Sequence, residues 1–241
     1  MERIADYVIR KLNEAGANHV FLVTGRGILY LTDAVAKNNR VVPVPAFHEQ
    51  GASYAAMAYA SVNESISACL VSTGCAATNA VTACLCAYQD NLPVVFISGN
   101  NPLNENTRHT GVKIRTYGSQ EADIISIVNT VTKYAVMIED ADSAALEIEK
   151  AIYIAQEGRK GPVWIDIPLD VQNMRIEEAE VNHYVPDEIE VHDISADVKG
   201  VVNDLNSATQ PVILIGGGAR GAKKEVAELV EKFNIPLVCS P

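Results

Sequence analysis

The chain has 241 residues, 48% hydrophobic and 20% charged, with a formal net charge of -11. This is the balance of a soluble globular protein; the acidic excess argues against a nucleic-acid partner, and no apolar run reaches the ~18 residues of a membrane span. The length suits one large domain, or one domain and part of another.

In chain order, Ile4, Tyr7, Val8 and Leu12 recur at near-helical spacing over residues 2–15, and Gly16 is a natural stop. The charged start Met1-Glu2-Arg3 reads as a helix beginning rather than a leader peptide, so a cytoplasmic location is expected. Residues 20–23 form a short buried strand, Thr24-Gly25-Arg26-Gly27 a tight loop, and residues 28–37 a helix with Asp33 outward. Residues 41–46 form the next strand, which ends at Phe47-His48-Glu49-Gln50-Gly51-Ala52. The helix opening there is crowded with small residues, among them Ser53, Ala55, Ala56 and Ala60, which let it lie close to a neighbour. Glu49 in its first turn feels the helix dipole, which lowers a carboxyl pKa, and burial, which raises it. Position alone leaves two roles for Glu49: a first-turn acid that steadies the helix, or a proton handler at a strand-to-helix junction. His48 beside it is either a proton relay or a side chain aimed elsewhere.

Residues 66–71 form a third strand, leading into Ser72-Thr73-Gly74-Cys75-Ala76-Ala77-Thr78-Asn79 and a helix to about Tyr88. Residues 93–98 form a fourth strand, and the polar stretch 100–119 is a loop long enough to suggest function. A helix over 121–129, a strand over 132–138, a helix over 143–156 closed by Gly158 and a strand over 162–168 follow. Apolar strands alternating with helices predict an α/β fold, a parallel sheet with helices on both faces. From about Glu177 the chain is acidic and aperiodic, with Pro186 inside the stretch. The expected organisation is a domain over 1–175, a linker over 176–195, and a second Rossmann-like α/β unit over 196–241. That unit carries a helix, a strand over 211–215, the Gly216-Gly217-Gly218 turn, a helix to about Phe233 and a strand over 235–239. One βαβ unit cannot cover both faces of its sheet, so the chain is expected to end inside a domain.

The five cysteines include no Cys-x-x-Cys pair, and the five histidines show no metal-binding spacing. Reduced, mostly buried thiols and no metal site on this chain are expected. In an open parallel sheet, ligands sit beyond the carboxyl ends of the strands. Here those ends are 24–27, 47–50, 72–79 and 99–102, and the first and third are small enough for backbone to approach a ligand closely. Each alone is also an ordinary tight turn.

Together these loops resemble the N-terminal pyrimidine-binding domain of the thiamine-diphosphate enzymes of acetolactate synthase type. Residues 48–52 resemble the family's H-E-Q-G-A run, and 72–79 its [ST]-G-P-G-A-T-N loop. Residues 93–99 resemble P-[LM]-[VL]-x-[IF]-[ST]-G, and 118–123 resemble F-Q-E-x-D. Thr132-Lys133 matches T-K, and 158–171 matches G-R-x-G-P-V-x-[IV]-D-[IL]-P-x-D-V. Residues 211–222 resemble the opening of the family's central domain. The chain departs from the pattern at Cys75 and Ala76, where Pro and Gly are usual, at Arg26, where a small residue is usual, and at Asn100, where Gln is usual. It contains no Gly-Asp-Gly, the run with which the family's C-terminal domain holds the diphosphate and a divalent metal.

The resemblance implies a thiamine-diphosphate-dependent carboligase or decarboxylase, a transferase or lyase acting on a 2-keto acid. It implies catalytic roles for Glu49, bonded to the pyrimidine N1′, and for Gln120, facing the substrate, with a helix-capping role as the alternative for Gln120. Cofactor contacts are implied for Gly25, Arg26, Glu49, Thr73, Gly74, Cys75 and Asn79. Mg2+ is implied on a C-terminal domain without which the isolated chain is inactive, FAD on the central domain is left open, and a homodimer or homotetramer through the pyrimidine domain is expected. The other reading is a non-catalytic binding or assembly protein that keeps the fold.

Overall fold

A computed structural model of the chain describes residues 1–187 and 193–240; residues 188–192, within the expected linker, and residue 241 lie outside the described residues. The chain divides into two units, Met1–Pro186 and Asp187–Pro241. The first begins with β1 (Glu2–Arg3), α1 (Ile4–Glu14), β2 (His19–Leu22), α2 (Leu29–Lys37), β3 (Val42–Pro45) and α3 (Glu49–Asn63). It continues with β4 (Ser67–Val71), α4 (Cys75–Thr78), α5 (Val81–Gln89), β5 (Val94–Asn100) and α6 (Ile124–Val128). It closes with β6 (Tyr134–Met137), α7 (Ala141–Gln156), β7 (Val163–Pro168), α8 (Leu169–Asn173) and β8 (Arg175–Ile176).

Six strands pair in parallel in the order β3-β2-β4-β5-β7-β6. Successive side chains of a strand point to opposite faces, and the two halves of the core follow that alternation. Ala68 and Leu70 of β4, Val95 and Ile97 of β5, and Val163 and Ile165 of β7 pack with α1, α2 and α7. Cys69, Val71, Phe96 and Trp164 pack on the other face with α3, α5 and α6. Phe96 and Trp164 stack with ring centroids 5.1 Å apart. The apolar runs of the sequence are continuous because these strands are covered on both sides.

From β2 the chain steps outward to the edge strand β3, then returns to β4 on the opposite side of β2. The connections leaving β2 and β4 therefore diverge. Such a switch point opens a crevice at the carboxyl ends of the strands.

Four expectations need correction. The strand after residue 40 is not buried: Val42, Pro43 and Pro45 of β3 are exposed, and two prolines without N–H groups belong on an edge. The helix expected over 121–129 shrinks to Ile124–Val128. Gln120 has φ +57, the Glu121 carboxylate accepts from Thr107 N and Tyr117 N at 2.6 and 2.9 Å, and Asp123 caps α6 by accepting from Ser126 N at 3.3 Å. The loop expected over 72–79 contains the short helix α4, ahead of the expected helix, which is α5. Only Cys69 and Cys84 are buried, while Cys75 and Cys239 are exposed, because one opens the short helix α4 beyond a strand end and the other lies on a sheet of two strands.

β1 and β8 pair antiparallel, Glu2 with Ile176 and Arg3 with Arg175, a tie between chain positions too remote for local pattern to announce. The following segment is held by Glu149 of α7. Its carboxylate accepts from Tyr7 Oη at 2.7 Å and Tyr184 N at 3.0 Å, pairs with Lys11 Nζ at 2.9 Å and meets His183 Nδ1 at 3.0 Å. Burial raises the Glu149 pKa, but hydrogen bonds from Tyr7, Lys11 and His183 outweigh it and hold the group at about 2. A folded pKa below the unfolded value of ~4.3 means stability present above about pH 4 and lost as pH falls toward 2. Glu149→Gln should therefore lower stability by roughly 2–3 kcal/mol at neutral pH, with the deficit closing between about pH 5 and pH 2. Urea unfolding across that range reads the gap, and a gap that stays constant with pH contradicts the account.

The second unit contains α9 (Ser195–Ser207), β9 (Ile213–Ile215), a 3-10 turn over Gly217–Ala222, α10 (Lys223–Phe233) and β10 (Leu237–Cys239). β9 and β10 pair in parallel as a two-stranded sheet. Among the described residues, no helix is long and apolar enough to cross a membrane.

Candidate active site

The turns after β2 and β4 interlock. A Cβ at Gly25 would collide with the Ser72 side chain, and one at Gly27 with the Thr73 side chain. Gly27 N donates to Ser72 Oγ at 3.2 Å, and Gly27 O accepts from Gln172 Nε2 at 2.6 Å. A Cβ at Gly99 of β5 would strike the Gly27 carbonyl. Gly25 and Gly27 thus bring the two turns together, and both also line the cavity described below. Gly74 has φ +48 and ψ -103, a combination open to glycine. Its missing Cβ leaves room for the Gln120 carbonyl, which accepts from Cys75 N at 3.2 Å.

α3 starts where β3 ends. His48 is its N-cap, with extended φ -152, and His48 Nδ1 accepts from Gln50 N at 3.2 Å. The Nδ1 side of the imidazole is therefore engaged in satisfying a first-turn N–H. Glu49 follows as the first helical residue and is half-buried. Its Oε2 accepts from Asn79 Nδ2 at 3.0 Å. Its other carboxylate oxygen has no hydrogen-bond partner among the described residues. Ala52, Ala56 and Ala60 of α3 are buried against the sheet, so the small-residue face seats the helix close enough for Glu49 to meet the turn after β4.

These loops enclose a cavity of about 430 Å³ at the β2/β4 switch point. Gly25, Arg26, Glu49, Thr73, Cys75, Asn79 and Gln120 all line it. Gly74 does not; it is buried beneath the Gln120 carbonyl. The cavity also draws on Ser72 and Asn101, from two of the strand-end loops, and on Ser119. Asn101 lies in a strand-end loop and Ser119 beside Gln120, but only the folded chain ties the two together, through Asn101 Nδ2 and Ser119 O.

Behind the cavity lies a buried polar chain. Asp166 of β7 accepts from Ser98 Oγ at 2.6 Å and from Asn100 Nδ2 at 2.7 Å. Trp164 Nε1 donates to Ser98 Oγ at 2.9 Å. Asn100 Oδ1 accepts from Asn101 N at 2.8 Å, and Asn101 Nδ2 donates to Ser119 O at 3.0 Å. Burial pushes the Asp166 carboxyl up to about 7, against the hydrogen bonds from Ser98 and Asn100. Every polar atom named in this chain has a partner, as buried networks require. Among the described residues, no group of three or more His, Cys, Asp or Glu could hold a metal ion.

A doubly covered parallel sheet, with a carboxylate on the wall of its switch-point cavity, is the architecture of a small-molecule-binding α/β protein. Comparison with known proteins narrows the class. Residues 2–127 match the family described as "Thiamine pyrophosphate enzyme, N-terminal TPP binding domain", and residues 198–241 match "Thiamine pyrophosphate enzyme, central domain". The chain belongs to the thiamine pyrophosphate enzymes. It is similar to the acetolactate synthase large subunit of Haemophilus influenzae, at 31% identity over 98% of this chain and 41% of that protein. It is likewise 31% identical to the acetolactate synthase isozyme 1 large subunit of Escherichia coli, over 96% of this chain and 40% of that one. The Mycobacterium bovis acetolactate synthase is 33% identical over 97% of this chain and 37% of its own length. The chain thus spans about two fifths of the length of the curated relatives it matches.

Proposed function

We propose that this chain supplies the pyrimidine-binding half and the activating glutamate of an acetolactate synthase-like enzyme, a transferase or lyase that decarboxylates a 2-keto acid and joins the remainder to an acceptor carbonyl. The supporting observation is Glu49, half-buried on the cavity wall with one oxygen taken by Asn79 and the other unshared among the described residues. A carboxyl group so placed can hold a proton against a ring nitrogen, and the donor set fits an aminopyrimidine. When bound, thiamine diphosphate supplies the electron sink for carbon–carbon bond cleavage and formation.

This chain's own residues then divide the work. Glu49 holds the proton at the pyrimidine nitrogen. Asn79 fixes the Glu49 carboxylate through Oε2. Gly25, Thr73 and Cys75 would hold the ring, Gly74 seats the Gln120 carbonyl, and the Gln120 side chain would serve the substrate side. The diphosphate and Mg2+ fall to residues outside this chain, and FAD on the central domain belongs to the same open part of the proposal.

The homodimer belongs to this reading too. Phe47 is 108% exposed, and Tyr54, Leu85 and Tyr88 on α3 and α5 present further apolar surface. Tyr54 Oη lies 3.5 Å from Cys86 Sγ, which places those two helices side by side. A second copy of this chain is the proposed cover.

The test is a calorimetric titration with thiamine diphosphate and magnesium, on this chain joined to a domain that holds the diphosphate. Saturable binding by a species of twice the subunit mass in light scattering is expected. No binding heat overturns the enzyme reading in favour of a non-catalytic binding or assembly role.

A further inference from the structure

We propose that Arg26 is a specificity-determining residue that takes a carboxylate of the substrate, displacing Glu105 from its side, while Asn101 sets its aim. The inference rests on the proposed function and assigns the kind of substrate group that this part of the cavity selects.

Arg26 is the only lysine or arginine among the residues lining the cavity, in a chain whose net charge is -11. Its side chain is 61% exposed, and its Nη2 lies 3.8 Å from Glu105 Oε2, beyond hydrogen-bond reach. An exposed pair of that length contributes little, so exchanging one carboxylate for another is inexpensive. Arg26 Nη1 donates to Asn101 Oδ1 at 3.3 Å. A guanidinium carries five N–H donors in a planar fork, so the edge beyond that single bond remains for a ligand. That fork matches a carboxylate at two points.

The two sides of Arg26 differ in rigidity. Asn101 is 3% exposed. Its amide is tied to Ser119 O and its main-chain N–H to Asn100, which Asp166 in turn holds. Glu105 is 45% exposed and sits in a three-residue 3-10 turn. One partner therefore anchors the guanidinium, and the other yields to an incoming anion. Among the charged side chains that line the cavity, Arg26 alone brings a fork of donors, which makes its side the place where a substrate carboxylate is accepted.

The test uses the 241-residue chain with oxalate as the probe, titrated at constant ionic strength and followed by the Arg26 Nε–H resonance and by calorimetry. Saturable binding is expected. Arg26→Ala should weaken it about tenfold and Arg26→Lys about threefold, since a point charge replaces a two-point contact. Glu105→Gln should tighten it about threefold by removing the internal competitor, a change that a purely structural Arg26–Glu105 pair would not produce. Thermal melting of each variant monitors the fold, and all are expected to melt with the wild type. Absence of saturable oxalate binding, or equal affinity in the wild type and Arg26→Ala, overturns the proposal. The oxalate titration contains no thiamine diphosphate, so its failure counts against the role of Arg26 alone, whereas the titration with thiamine diphosphate and magnesium decides the cofactor reading.

Discussion

Replacing Glu49 with Gln should slow exchange of the C2 proton of enzyme-bound thiamine diphosphate by roughly 10²–10⁴-fold, the range of one positioned acid–base group. Gln has nearly the same shape and can still accept from Asn79 through its amide oxygen. What it loses is the ability to hold and release a proton toward a ring nitrogen. The fold should lose little: Glu49 is half-buried at a helix start, and removing a first-turn charge costs about 0.3–1 kcal/mol. Hydrogen–deuterium exchange at C2, measured by quenched-flow NMR on the assembled enzyme, gives the rate, and urea unfolding of this chain gives the stability. A variant that exchanges as fast as wild type removes Glu49 from the mechanism. A variant that unfolds early shows that the helix-start role was the principal one.

Gly74→Ala should produce the largest stability loss available from one methyl group in this site. With φ +48 and ψ -103, an L-residue at this position is strained by about 1–3 kcal/mol. The added Cβ would also overlap the Gln120 carbonyl oxygen and lie 2.7 Å from Ala122 N. Those are backbone atoms, so no side-chain rotation relieves the clash, and overpacking adds about 1–3 kcal/mol. The combined loss, roughly 2–6 kcal/mol, is a large part of the stability of an ordinary domain. If the chain survives it, the Gln120 turn must shift, and coenzyme affinity should fall with it. Gly158→Ala is the control: φ there is +55, but no atom lies within 4 Å of the new Cβ, so strain alone operates and the loss should be near 1 kcal/mol. Chemical denaturation of both variants reads the difference. Equal losses at the two positions would mean that the contact with Gln120 is unimportant.

The Asp166 network bears on both predictions. It holds the end of β5 next to Gly99, whose closeness to Gly27 carries the β2 turn. The walls of the cavity are thus set by strands that meet only in the folded sheet.

The order of the elements, their types and the parallel α/β class were legible in the chain, because a period of two or of 3.6 residues and a cap or glycine stop are local facts. So was the unusual start of α3, since Glu49 in the first turn of a small-residue helix needs no distant partner to be seen. Beyond that, sheet order decided. Glu49 meets Asn79 across thirty residues of sequence because β3 and β4 flank β2. Asp166 meets Ser98 and Asn100 because β7 pairs with β5. The exposure of β3, the short helix after Gln120 and the interlock of Gly25 and Gly27 with the turn after β4 came from the same source. Which loop faces which is set by strand pairing, a long-range contact that no local period encodes.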